Sequence, residues 1–246
     1  MRQHSCGVKY SCIIADRVAE LWYDTPRHQE ISMQEALALP LEVDRHATAD
    51  WKELGILRDH LIRPGDRIVE CGCHHGLTTI MLASWAGPKG FVWAYDAVLL
   101  NALVARRNFE LNQVGNAAAY CAAIGGRRGL MNCFNESNVI VKAGDGTSSS
   151  STVMVMLEDI LPPRVDVLKL DVEGCELDIL ETSRPLIDRI PRLAIELHTD
   201  LLPPNGVERV LAILQGRPLH ILWENGNFEP YRGQPIKERV HLFSFE

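Results

Sequence analysis

The sequence predicts an α/β fold, a three-layer sandwich with helices on both faces of a mostly parallel sheet. Two observations carry that expectation. From Arg67 onward, short apolar runs alternate with stretches of helical periodicity. Glycine or proline punctuates many of the junctions between them. Such alternation implies right-handed βαβ crossovers, and therefore parallel strands covered on both sides. Ligands of these sheets sit beyond the carboxyl ends of the strands.

The elements follow in order. Residues 67–72 read as a strand closed by Gly72, and Leu77, Ile80, Met81 and Trp85 stripe a helix that stops at Gly87-Pro88. Residues 91–95 are rich in β formers. Leu100, Leu103, Val104 and Leu111 stripe the next helix, and residues 117–124 form a third strand ended by Gly125-Gly126. An extra strand at 153–156 leads into 157–161, and a buried strand at 165–170 runs straight into Asp171-Val172-Glu173-Gly174. Leu177, Leu180, Ile187 and Ile190 mark a helix broken near 183–185. A strand at 192–197 and a short helix carrying Val207, Val210, Leu211 and Leu214 come next. Residues 219–223 and 240–245, with no helical pattern between them, are expected to pair antiparallel. Residues 12–23 and 51–61 have helical spacing, and the serine-rich stretch 144–152 reads as a mobile loop. Pro64-Gly65-Asp66 marks off an N-terminal extension, residues 1–60, from a domain at 61–246. The extension is expected to cover the open side of the crevice.

Composition excludes several classes. The chain has 246 residues and a net charge of −7, which repels polyphosphates, so nucleic acid is not an expected partner. A hydrophobic content of 46% is enough for a sizeable core without disulfide or metal staples. Seven cysteines in no regular framework, with no secretory segment at the start, read as reduced thiols of a cytoplasmic protein. No apolar run approaches the ~18 residues of a spanning helix, so no membrane is expected. Trp22, Trp51 and the terminal strands offer a surface for a homodimer. The cluster Cys71-Gly72-Cys73-His74-His75 invites a zinc reading, but zinc sites space paired cysteines more widely and need a second pair, which is absent.

The first strand ends Glu70-Cys71-Gly72-Cys73-His74-His75-Gly76 and passes into a helix, where glycine lets the backbone turn and approach a ligand. A dinucleotide fingerprint would put glycine at position 74 and glycine or alanine at 77; His74 and Leu77 stand there instead, which disfavours a nicotinamide site. Asp96 ends the second strand, where an acid accepts both hydroxyls of a ribose. With Glu70 and Gly72 it fits S-adenosylmethionine (SAM), which presents a ribose, an adenine and a zwitterionic tail but no phosphate. Alone it would equally be a solvated strand-end acid. The densest signal is Asp166-Val167-Leu168-Lys169-Leu170-Asp171-Val172-Glu173-Gly174-Cys175-Glu176. Alternation turns Lys169, Asp171 and Glu173 toward the crevice. Charges buried there must pair or do chemistry, so both a structural ion pair from Lys169 to Asp171 or Glu173 and a catalytic group answer to the pattern.

Residues 67–112 and 166–198 resemble the FkbM-type SAM-dependent methyltransferases. The likeness lies in the Glu70-to-Gly76 loop, Asp96, the segment from Arg107-Asn108 to Asn112, Leu157-Glu158-Asp159, the Lys169-to-Glu176 segment, and Ile195-Glu196-Leu197-His198. It covers roughly residues 60–246. It implies a class I methyltransferase (Rossmann-like) fold, with a seven-stranded mostly parallel sheet whose last strand is antiparallel. It also implies methyl transfer to a hydroxyl, often on a sugar or natural product. By the same resemblance Glu70, Gly72 and Gly76 shape the methionine end of the cofactor site and Asp96 holds the ribose; His74, by its own position, reads as a loop residue beside the cofactor or substrate. Two departures stand out: Cys71-Gly72-Cys73-His74 replaces Gly-Ala-Asn, and Asp96-Ala97 replaces Glu-Pro.

Transfer to a hydroxyl needs the proton removed as the oxygen attacks. His198, next to the crevice and titrating near neutrality, is the chosen base; a hydrogen-bonded strand-end histidine is the alternative. Lys169, Asp171 and Glu173 complete the catalytic set, and Glu196 is assigned to the acceptor, a small or carbohydrate-like molecule. Asp171, Glu173 and Glu196 would also suit Mg²⁺ or Ca²⁺, but nothing in the spacing demands a divalent cation and no metal is predicted. The rival readings are a SAM-binding module without turnover and a nicotinamide dehydrogenase.

Overall fold

In chain order, the strand β1 (Lys9–Tyr10) pairs antiparallel with β2 (Ile31–Ser32). The helix α1 (residues 52–56) widens into a π-helical turn at Leu57–Leu61. Then follow β3 (Arg67–Cys71), α2 (Leu77–Ala86), β4 (Phe91–Asp96), α3 (Leu99–Leu111), β5 (Ala117–Cys121), β6 (Ala123–Ile124), β7 (Gly129–Cys133) and β8 (Ser150–Val155). The remainder is α4 (Leu157–Ile160), β9 (Val167–Leu170), α5 (Glu176–Thr182), α6 (Arg184–Ile187), β10 (Arg192–Leu197), α7 (Gly206–Ile213), β11 (Leu219–Trp223), β12 (Phe228–Pro230) and β13 (Val240–Ser244). The structure, a computed structural model, describes residues 9–10, 31–32, 52–133 and 150–245. The helix read over 12–23, most of the loop read over 144–152 and most of the 1–60 extension lie outside the described residues.

The main sheet runs β12-β11-β13-β10-β9-β3-β4-β5. The strands β3, β4, β5, β9 and β10 are parallel, and β13 is antiparallel to both neighbours, β10 and β11. The last strand thus inserts between β10 and β11, and its antiparallel pairing with β11 follows from the lack of a crossover helix between them. The sheet has eight strands, not seven: β12 adds to the outer edge of β11 through a turn at Asn225-Gly226-Asn227. Three residues ending in Pro230 show no alternation, and proline is tolerated there because the strand is an edge.

Two further expectations change. The run 117–124 breaks at Ala122, so that β5 stays in the main sheet while β6 leaves it to pair with β8 in a small sheet ordered β6-β8-β7. Leu103 does not lie on the buried stripe of α3 but is 48% exposed; the helix buries Asn101, Val104, Ala105, Asn108 and Phe109 instead. Alternation along the strands supplies both faces of the core. Val69, Leu168 and Leu170 pack under α5 residues Leu177 and Leu180, and Ile68, Val92 and Phe243 pack with Leu57, Leu61 and Leu82. Residues 52–61 are therefore part of this core.

At the amino ends of the strands, away from the cleft, Arg192 makes a buried two-pronged bond to Asp66 at 2.7 and 2.8 Å and also donates to the Leu61 carbonyl. Removing one partner would strand a buried charge. Arg192→Ala is expected to cost about 3–5 kcal/mol of unfolding free energy. Urea denaturation measures this, and a loss below ~1 kcal/mol would contradict the assignment.

Candidate active site

The site forms where β3, β4, β9 and β10 end. Gly72, directly after β3, has φ +91, and a Cβ there would lie 1.7 Å from the Asp171 carbonyl oxygen, so no side chain fits. Two residues on, His74 takes φ +47, the left-handed backbone that a dinucleotide loop would give to glycine. Its N–H donates to Asp96 Oδ2 at 2.8 Å. The other oxygen of Asp96 accepts from the Val98 N–H at 2.8 Å and from Asn101 Nδ2 at 3.0 Å. Burial lifts the Asp96 pKa to about 6 against the pull of these bonds.

Gly72, His74, Asp96, Asn101, Asp171 and Glu173, with Tyr95 and Ala122 to Ile124, line a cleft of about 630 Å³ that opens to solvent. Two loop residues singled out in the sequence are not on its wall. Gly76 starts α2 and packs on Ala105 and Phe109. Glu70 is wholly buried beneath the loop, accepting from Thr79 Oγ1 at 2.5 Å. Burial raises its pKa to about 7, opposed by nearby Lys169.

Behind the Asp171 side of the cleft lies a buried charged cluster. Lys169 Nζ is 3.4 Å from Asp171 and 3.6 Å from Glu53 of α1. Desolvation would lower its pKa, but Glu53, Asp171 and Glu70 hold it well above the ordinary lysine range. His198, following β10, meets Glu176 Oε1 through Nδ1 at 2.7 Å; its Nε2 faces Glu173 at 3.3 Å and Asp171 and Glu196 at 3.9 Å. Burial works against its positive charge, yet Glu176, Glu173 and Glu196 together raise its pKa. Burial raises Asp171 and Glu173 as well. Glu196 is buried and pairs with Arg239, and His241 contacts both Glu53 and Glu196. Desolvation lifts Glu196, but His241 and Arg239 outweigh it and lower its pKa.

Lys169, Asp171, Glu173, Glu196 and His198 are therefore brought together, with Asp171 and Glu173 as the members on the cleft wall. The Lys169–Asp171 pair exists, whereas Glu173 turns to His198. Sequence reasoning missed Asn101, Glu53, Arg239 and His241, and gave Glu176 no separate role. Asn101 is found only once the buried face of α3 is known, and the others are joined only by sheet topology.

A parallel sheet with its final strand inserted antiparallel, and a cleft walled by the ends of β3, β4 and β9, defines a class I methyltransferase fold. The model of one family, described as the methyltransferase FkbM domain, matches residues 70–217. The chain belongs to the FkbM methyltransferases, and its cofactor is S-adenosylmethionine. Among solved structures, it is similar to an FkbM methyltransferase from Methylobacillus flagellatus KT (16% identity, 85% of this chain and 57% of that one, TM-score 0.49). It is also similar to a SAM-dependent O-methyltransferase from Thermotoga maritima (17%, 92% and 69%, TM-score 0.44) and an rRNA methylase from Streptococcus thermophilus (14%, 80% and 97%, TM-score 0.46). No curated protein matches the chain. Among the described residues no helix is long and apolar enough to cross a membrane.

The Glu70 carboxyl keeps its proton up to about 7 in the fold and releases it near 4.5 when unfolded. Its ionisation therefore lowers stability progressively as pH rises through that window. Relative to the wild type, Glu70→Gln should gain roughly 1–3 kcal/mol between pH 5 and pH 8. Denaturant titrations at the two pH values measure this; a relative loss would contradict it.

Proposed function

We propose that the chain transfers the methyl group of SAM to a hydroxyl of a sugar or natural-product-like small molecule. The observation that carries this reading is the adjacency of the cleft wall at Asp171 and Glu173 to the buried His198–Glu176 pair. The residues fit the cofactor. Asp96 presents a carboxylate to the cleft with one oxygen accepting a single bond, and Asn101 Oδ1 is buried without a partner on the same wall. Asp96 would hold the ribose, and Gly72 and His74 the loop beside the methionine end. SAM, when bound, supplies an electrophilic methyl group on a sulfonium.

The rest is done by side chains of this chain. Glu173 and His198 form the base. Glu173 is the member on the cleft wall and takes the hydroxyl proton. His198 lies behind it, its Nδ1–H donating to Glu176 so that Nε2 faces Glu173. Lys169 holds Asp171 in place, so that the acceptor is seated against a fixed wall. The excess of carboxylates at this end of the cleft and the net charge of −7 favour a neutral acceptor over a polyphosphate.

Two measurements test the reading. Asp96 must be ionised to accept ribose hydroxyls, so affinity for S-adenosylhomocysteine is expected to hold above pH 7. Below the Asp96 pKa of about 6 it should fall by about tenfold per pH unit. Calorimetry of wild type and Asp96→Asn measures this: the variant should bind weakly at every pH, and a pH-independent wild type would contradict it. In a screen of hydroxyl acceptors with radiolabelled SAM, Glu173→Gln should lower kcat by roughly 10²–10⁴-fold while cofactor affinity changes little. Turnover confined to nitrogen or carbon acceptors would overturn the O-methylation reading.

A further inference from the structure

We infer that Asp171, Glu196 and His198 form a binding site for one first-row divalent cation of the Mn²⁺ type, at the inner wall of the cleft. Their ligating atoms all lie within 4.8 Å of one another. His198 Nε2 is 3.9 Å from both carboxylates. Two ligands at about 2.1 Å from one ion are separated by about 3.0 Å when at right angles and about 4.2 Å when opposite. The observed spacing therefore suits a shared ion with little movement.

The histidine supplies a second, independent reason. It is 2% exposed, and Nε2 is buried with no hydrogen-bond partner. Its other nitrogen is held by Glu176 at 2.7 Å. A histidine that donates Nδ1–H to a carboxylate and turns Nε2 toward three more, Glu173 at 3.3 Å and Asp171 and Glu196 at 3.9 Å, has the outer-shell arrangement of a metal ligand, with tautomer and ring plane both set. The surrounding charge agrees. Among the described residues, Glu53, Asp171, Glu173, Glu176 and Glu196 face Lys169, Arg239 and His241, beside His198, so carboxylates outnumber the cations around them. Buried negative charge left over is costly unless compensated.

Ligand chemistry selects the class of ion. Mg²⁺ and Ca²⁺ prefer sets made wholly of oxygen, whereas one imidazole with two carboxylates suits Mn²⁺ or Fe²⁺. Lys169 takes Asp171 Oδ2 and leaves Oδ1 facing His198. Arg239, which holds Glu196, is 41% exposed at its side chain and has room to turn toward solvent. The function of the ion rests on the proposed hydroxyl methylation, although its binding does not. An ion behind Asp171 would polarise the acceptor oxygen and lower its pKa, taking the Nε2 lone pair and leaving Glu173 to accept the proton.

The test uses the full chain, stripped with chelator and titrated with Mn²⁺ while the free ion is followed by electron paramagnetic resonance. One Mn²⁺ per chain should disappear from the free signal. Glu176→Gln should weaken binding 10- to 100-fold, and His198→Gln should abolish it. Thermal unfolding checks that each variant is folded, and should His198→Gln fail to fold, Glu176→Gln still decides. No Mn²⁺ binding by the wild type, or binding unchanged in the variants, overturns the site. Titration of the same samples with S-adenosylhomocysteine separates the two readings. Cofactor binding without Mn²⁺ binding removes only the metal site; the reverse removes only the methyl-transfer reading.

Discussion

The approach of Gly72 to the Asp171 carbonyl is the constraint on which the site depends. The strands β3 and β9 are adjacent and in register, with Cys71 opposite Leu170, and the Asp171 N–H donates to the Cys71 carbonyl at 2.9 Å. Beyond that bond the two chains must part, and only a glycine in the left-handed region lets the first turn away without striking the second. The parting opens the cleft. One loop leads through His74 to Asp96; the other leads through Asp171 to Glu173, itself at φ +50. Strained backbone on both sides of a cleft is where functional geometry is commonly held.

Electrostatics fixes the second wall. Lys169 is 3% exposed and sits on a core strand, a placement sustained by carboxylates from different elements: Glu53 from α1, Asp171 from the end of β9 and Glu70 across the β3 pairing. Through Glu53 the network reaches His241 of β13, and through Glu196 it reaches Arg239. His241 is pushed up to about 9, because Glu53 and Glu196 outweigh its desolvation. The inserted antiparallel strand is thus part of the site's support. It brings a cation behind Asp171, which follows β9 on the cleft wall, and beside the buried Glu196 of β10.

Much of this was legible in the sequence because it is local. Strand–glycine–helix punctuation marks Gly72, strand-end position marks Asp96, and a lysine and two acids alternating out of an apolar run mark Lys169, Asp171 and Glu173. What escaped is set by long-range packing. Glu53 lies 116 positions before Lys169 in the chain, and no local pattern links them. The strand β12 is too short to alternate, and the run 117–124 reads as one strand because its break at Ala122 is a change of sheet, not of composition. Leu103 misled for the opposite reason: α3 buries asparagines, Asn101 against Asp96 and Asn108 against the His75 carbonyl, so polarity and exposure part company there.

The most direct test of this account is calorimetric titration of wild type and Gly72→Ala with S-adenosylhomocysteine, with circular dichroism to check that both are folded. If contact between the β3 and β9 turns creates the cofactor cleft, the wild type binds one equivalent and the folded variant does not bind. Equal affinity in the two proteins would contradict the account, because the cleft would then not depend on the approach of Gly72 to Asp171.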